Sequence, residues 1–205
     1  MQLTLQDIGK RYRREWILKH IDLTVRSGAM IGVTGPNGSG KSTLLRMLAG
    51  YLTPSRGRIQ HEVAGRMLPI EEVYREVTYA APYIELIEEL TLSEAVRFHE
   101  RFKPFYPDLH PDEVVALLDL EAARDKPLRN FSSGMLQRVK VGLACCSRSS
   151  LLLLDEPTTN LDAAGAAWYQ ALLHRYRPGR TVVIASNVTS DFPEEATKVD
   201  VRDWK

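Results

Sequence analysis

Gly35-Pro36-Asn37-Gly38-Ser39-Gly40-Lys41-Ser42-Thr43 sits between the apolar run Met30-Ile31-Gly32-Val33 and the helical pattern Leu44, Leu45, Met47, Leu48. Its glycines let the backbone turn left-handed and approach a ligand closely. Successive N–H groups of such a loop converge on phosphate oxygens at the positive end of the following helix, and Lys41 adds a full charge. Ser42 offers a hydroxyl to a Mg2+ ion bridging the two terminal phosphates of a nucleotide, and Thr43 lies one residue deeper in the first helical turn. A bare glycine-rich turn would need neither the strand before it nor the helix after it. The stretch therefore predicts a phosphate-binding loop within an α/β fold.

The surrounding chain can support that fold. Its 205 residues suit one domain or two small lobes, and 44% hydrophobic content is ample for a core. With 27 basic against 26 acidic residues, there is no overall basic field that would point to nucleic acid. Met1-Gln2-Leu3-Thr4-Leu5 lacks the basic cap and apolar core of a secretory signal and reads as a strand. No apolar run approaches the roughly 18 residues of a membrane span, so any membrane role is expected to pass through a partner. Cys145 and Cys146 are neighbours in a helical pattern, which is poor geometry for a disulfide and half a zinc site. Packing in a reducing cytosol is the expectation, with a redox role as the alternative.

Residues 2–8 and 17–25 alternate apolar and polar as antiparallel strands do, with the basic turn Lys10-Arg11-Tyr12-Arg13-Arg14 between them. After the loop helix, Gly50, Pro54, Gly57 and Gly65 punctuate a turn-rich section with a strand near Gly57 to His61. Val77 to Ala81 reads as a buried strand stopped by Pro82. Thr91-Leu92-Ser93-Glu94 resembles a helix start, and a second helix is predicted from about Asp112 to Leu120. From Ser132 the pattern returns to helix and strand units: a helix to about Ser147, the strand Leu151 to Leu154, a helix from Asp162 to Tyr176, the strand Thr181 to Ala185, and a terminal strand with a short tail over 194–205. The expected architecture is a single α/β domain over 1–205. A mostly parallel central sheet and a small N-terminal antiparallel β layer occupy 1–81 and 130–205, and 82–129 form an inserted α-helical lobe.

Leu151-Leu152-Leu153-Leu154-Asp155-Glu156 puts two carboxylates at the end of a buried strand, where open α/β sheets bind ligands. Paired with a phosphate loop, Asp155 is suited to hold the magnesium, directly or through water, and Glu156 to orient or deprotonate an attacking water. Alone, Asp-Glu-Pro would only begin a turn.

A third motif, Phe131-Ser132-Ser133-Gly134-Met135 followed by Leu136-Gln137-Arg138-Val139, lies one helix before that strand. With it, nearly the whole chain resembles the ATP-binding cassette (ABC) ATPases, a P-loop NTPase family. Ser132, Gly134 and Gln137-Arg138-Val139 agree with the family signature Leu-Ser-Gly-Gly-Gln and its sequel, whereas Ser133 replaces a glycine and Met135 the glutamine. By itself Ser132 could be a plain helix cap. The resemblance implies more: Ser132, Ser133, Gly134 and Met135 would close over the γ-phosphate bound by a second subunit, so that a homodimer carries two composite ATP sites.

The resemblance also implies that Tyr12 stacks on adenine, for which a π face suffices. Asp162, in Asn160-Leu161-Asp162, would lie on the loop along the dimer interface, or cap the next helix, or both. Tyr83 to Leu90, with exposed Ile84, Leu86 and Ile87, would form the docking face for a membrane-spanning permease. Two departures stand out. Pro82 occupies the place of a glutamine that contacts magnesium and water, and no glutamine occurs between Gln60 and Gln137. Asn187 occupies the place of a histidine; its amide can donate a hydrogen bond to a γ-phosphate but cannot carry a proton or positive charge. The expectation is firm ATP binding with slow hydrolysis.

The implied function is the ATPase subunit of an ABC transporter, using ATP and Mg2+, cytoplasmic and peripheral on the inner face of the cell membrane through its permease. The alternative is a non-transport ABC ATPase in translation or DNA repair, but the chain has neither the long coiled coil of the repair types nor the second cassette of the translation types. A P-loop kinase or GTPase fits less well, because the signature segment is present and an Asn-Lys-x-Asp guanine motif is absent.

Overall fold

The computed structural model describes residues 1–205, and the chain divides into two compact units, Met1–Tyr79 with Ser149–Glu156 and Pro178–Lys205, and Ala80–Arg148 with Pro157–Arg177.

The first unit holds both sheets. Strands β1 (Gln2–Tyr12) and β2 (Glu15–Val25) form a hairpin, and β4 (Arg56–Val63) and β5 (Arg66–Met67) complete an antiparallel sheet in the order β2-β1-β4-β5. Strands β3 (Met30–Thr34), β6 (Val77–Ala80), β7 (Leu151–Asp155), β8 (Thr181–Ala185) and β9 (Thr197–Asp200) form the second sheet, in the order β6-β7-β8-β3-β9. Within it β7 with β8, β8 with β3, and β3 with β9 pair in parallel. Helix α1 (Lys41–Leu48) follows β3 and buries Leu44, Leu45, Met47 and Leu48 in a core shared with Leu151, Leu153 and Val183. All four leucines of β7 are fully buried, each contributing roughly 1.5–3 kcal/mol of transfer free energy relative to exposure.

The hairpin differs from its sequence reading. Its strands run on through Lys10-Arg11-Tyr12, and only Arg13 and Arg14 turn. Register shifts between Leu5 and Lys10 mark β-bulges, with Asp7 and His20 at positive φ, so the apolar alternation changes face in mid-strand and breaks off before the strands end. A short helix α2 (Ile70–Glu76), not anticipated, buries only Val73 and so shows no readable period.

The second unit is helical. Helix α3 (Leu92–Phe102) starts from a capping box in which Thr91 Oγ1 accepts from Glu94 N and the Glu94 carboxylate accepts from Thr91 N. Helix α4 (Pro111–Leu117) is shorter than the Asp112 to Leu120 expected, because Asp119 takes a left-handed φ of 57° that cannot continue it. Besides these, the unit contains α5 (Ser133–Cys146) and α6 (Ala163–Tyr176), which group with residues 82–129 rather than with the sheets. Cys145 and Cys146 are fully buried and form no disulfide.

Candidate active site

In the parallel sheet β8 lies between β7 and β3, so the C-terminal ends of these three strands bring together residues far apart in sequence. The loop after β3 has φ values of 141°, 74° and 107° at Gly35, Gly38 and Gly40. Gly40 is the N-cap of α1, no side chain caps that helix, and its first turn has no acidic residue. Its first N–H groups are thus left to an external anion. Ser39 Oγ is buried without a hydrogen-bond partner, an orphan of the kind a ligand satisfies. The cleft is about 350 Å³, lined by Tyr12, Ile17, residues 37–43 and Glu156.

Lys41 is only 5% exposed, and its Nζ donates to the carbonyls of Gly35 (2.9 Å) and Pro36 (3.3 Å) and lies 3.3 Å from Glu156 Oε1. Glu156 takes a φ of 46°, a conformation costing about 1–2 kcal/mol for a residue with a Cβ. Its N–H donates to Ala185 O at 2.7 Å, which fixes the strained residue to the end of β8. Its Oε2 accepts from the hydroxyl of Ser186 at 3.0 Å, while Asp155 is buried and its Oδ2 accepts from Tyr79 Oη at 3.3 Å. Asn187 is exposed, and its Nδ2 donates to Asn37 Oδ1 at 3.1 Å. Tyr12, the phosphate loop, Asp155, Glu156 and Asn187 therefore all belong to the first unit. Ser186 and Tyr79 were missed as site residues because their contacts arise from strand order and not from a local motif.

No three His, Cys, Asp or Glu side chains are placed to hold a metal among themselves. Buried Asp155 and half-buried Ser42 supply two oxygen donors. That poor protein ligand set suits Mg2+, which keeps waters and takes substrate phosphates as its remaining ligands.

The second unit carries the other motif residues. Ser132 caps α5, its Oγ accepting from Met135 N at 3.3 Å, with Ser132 and Ser133 exposed. A Cβ on Gly134 would lie 2.8 Å from the carbonyl oxygen of Asn160, whose own φ is 65°. Gln137 Nε2 donates to Pro157 O at 3.0 Å, and Asp162 caps α6 through Gly165 N at 2.7 Å. Signature and loop are thus packed on each other through backbone. At the place of the absent glutamine, the carbonyl of Pro82 accepts from Lys140 Nζ at 2.6 Å.

A separate apolar groove of about 240 Å³ is lined by Ile84, Leu86, Ile87, Leu90, Phe98 and Phe102 among others. Ile87 is exposed as expected, but Ile84 and Leu86 are half-buried, because they form its walls. In the same groove His99 Nε2 lies 2.8 Å from Ser147 Oγ, whose own hydrogen goes to Leu143 O, so Nε2 is the donor. Burial, aided by Lys103, lowers the His99 pKa to about 4.

The family model for the ABC transporter matches residues 18–159. The chain is 32% identical over 202 residues to the "Probable sulfate/thiosulfate import ATP-binding protein CysA" of Chlorella vulgaris, covering 95% of this chain and 83% of that one. It is 28% identical to the bacitracin transport ATP-binding protein BcrA of Bacillus licheniformis, covering 95% of this chain but 64% of the relative. Among solved structures, an ATP-binding subunit of an ABC transporter superposes with a TM-score of 0.82 at 24% identity, over 98% of this chain and 85% of that one. The ATP-binding cassette MJ0796, in a dimeric post-hydrolysis state with ADP and Pi, superposes with a TM-score of 0.78 at 23% identity, over 91% and 88%.

Proposed function

The chain belongs to the ABC transporter family, of which it is an ATP-binding ATPase subunit, and from that premise we propose that two copies close on ATP to drive a separate membrane-spanning permease. The observation that carries this reading is Lys41 held between the loop carbonyls and Glu156. A buried ammonium in that position is drawn toward an incoming polyphosphate, which replaces one carboxylate with several anionic oxygens. Glu156 is then released from its ion pair to act on water.

In this reading the Tyr12 ring stacks on adenine, and the N–H groups at the start of α1 hold the phosphates. Ser42 and Asp155 would hold Mg2+, which supplies charge neutralisation across the phosphates when bound. Glu156 orients and deprotonates the attacking water, and Asn187 donates to the γ-phosphate. Ser132 to Met135 and Asp162 of one copy complete the site of the other. The closing and reopening of the pair would change access in the permease. No helix is long and apolar enough to cross a membrane. The permease would seat an apolar segment in the groove at Ile87, Phe98 and Phe102, placing the subunit on the inner face of the membrane.

Glu156→Gln is the test: it should abolish steady-state ATPase by about 100-fold or more while retaining ATP and accumulating dimer in size-exclusion chromatography. A variant that hydrolyses ATP at the normal rate removes Glu156 from this role. Recovery of the protein with ribosomes or DNA, and not with a multispanning membrane protein, would overturn the transport assignment.

A further inference from the structure

We infer that Lys10 is a positioning residue for the nucleotide base: its ammonium backs the Tyr12 ring, so that the ring meets adenine with its other face. The inference rests on the reading of Tyr12 as the ring that stacks on the base. Tyr12 is the last residue of β1 and is 44% exposed. An exposed side chain at a strand end exchanges among rotamers. A base that can stack on only some of them binds more weakly in proportion to the fraction that is competent.

Alternate residues of a strand share a face. Lys10 and Tyr12 stand on one side of β1, with Lys10 Nζ 5.3 Å from the centroid of the Tyr12 ring. Alternation puts Arg11 on the other side, where it pairs across the hairpin with Trp16 and its guanidinium lies 5.4 Å from that ring. The Lys10 ammonium is anchored as well, because it donates to Thr53 O at 2.8 Å. That carbonyl belongs to the turn after α1, and Ser55 clamps the turn to β1. Its N–H donates to Gly9 O at 2.8 Å, and its hydroxyl accepts from Arg11 N at 3.1 Å. Backbone therefore fixes the cation, and the ring takes its place from the cation.

The cleft shows which face is left open. Tyr12 and Ile17 line it with residues 37–43 and Glu156, whereas Lys10 does not. The ammonium thus supports the ring from outside the cleft and does not compete with a base for the inner face. Charge favours the same arrangement. A π face is negative, so two stacked rings repel through their clouds, and a cation behind one of them lessens that repulsion. Lys10 differs in this from Lys41, whose ammonium touches the carbonyls of the phosphate loop.

The experiment measures binding of ATP and of inorganic tripolyphosphate, which has the phosphates without the base, by isothermal titration calorimetry, with Tm and steady-state ATPase beside them. Lys10→Met keeps an unbranched stem and removes the charge. Its ATP affinity should fall about 3-fold, as expected for loss of an exposed cation–π contact. Its KM should rise at unchanged kcat, and its affinity for tripolyphosphate should stay at the wild-type value. Tyr12→Ala should weaken ATP by more than Lys10→Met does, and in that background Lys10→Met should have no further effect, since Lys10 acts through the ring. Wild-type ATP affinity in Lys10→Met overturns the inference. So does an equal loss for tripolyphosphate, which would place Lys10 in phosphate binding or in the fold, and so does a loss that persists without the ring. Tyr12→Ala with wild-type ATP affinity would defeat the stacking reading itself, and the inference with it.

Discussion

Gly134→Ala places a methyl group where the backbone leaves no room. The added Cβ would lie 2.8 Å from the carbonyl oxygen of Asn160, against about 3.4 Å for ordinary contact, so the start of α5 and the Asn160 loop must separate by about 0.6 Å. The obstacle is a carbonyl oxygen at a left-handed residue, which cannot rotate aside as a side chain could. Overpacking of this kind costs roughly 1–3 kcal/mol. The cap from Met135 N to Ser132 Oγ, already 3.3 Å long, would weaken as well, at up to about 1 kcal/mol. Against this, alanine gains at most about 1 kcal/mol in helix propensity. The clash wins, for a net loss of about 2 kcal/mol, or some 4–8 °C in Tm for a chain of this size. Because the signature moves with the loop that carries Asp162, ATP-dependent dimerisation, read by light scattering, should weaken by about 10-fold or more. A variant with unchanged Tm and unchanged dimerisation would refute both the packing account and the role of this surface.

His99 makes stability depend on pH. Its imidazole is neutral in the fold, with a pKa near 4, whereas the unfolded chain takes up the proton near 6.5. Stability should be full above about pH 6.5 and fall as pH drops toward 4, by at most about 3 kcal/mol. Denaturant unfolding of wild type and His99→Gln across that window should show the slope in the former and its reduction in the latter; equal slopes would rule His99 out. Asn187→His restores a group able to carry charge beside Asn37, and kcat should rise by about 10-fold; an unchanged or lower rate would show that Asn187 is not what limits turnover.

Local chemistry determined much of this protein in the sequence itself. The loop from Gly35 to Thr43 needs small residues, a lysine and a helix start in a fixed order, so its geometry is legible without any distant contact. The same holds for the caps at Thr91, Ser132 and Asp162, each of which bonds an N–H three residues on. The continuous apolar run of β7 announced a strand covered on both faces, with Asp155 and Glu156 at its end. Other features obeyed no local rule. The bulges at Asp7 and His20 prolong the hairpin through Tyr12 by turning an alternating pattern over in mid-strand, a choice made by pairing with a distant strand. The half-burial of Ile84 and Leu86 follows from helices packed beside them, not from their own spacing.

The clearest division lies at Glu156. Its position after an apolar strand was written in the chain, but its partners were not: Lys41 comes from the helix after β3, and Ser186 from the end of β8. Sequence specifies which groups stand at the ends of strands. Only the order in which the strands pair, β7 beside β8 beside β3, decides which of those groups come within hydrogen-bonding distance, because that order is set by burial of whole faces and not by neighbouring residues.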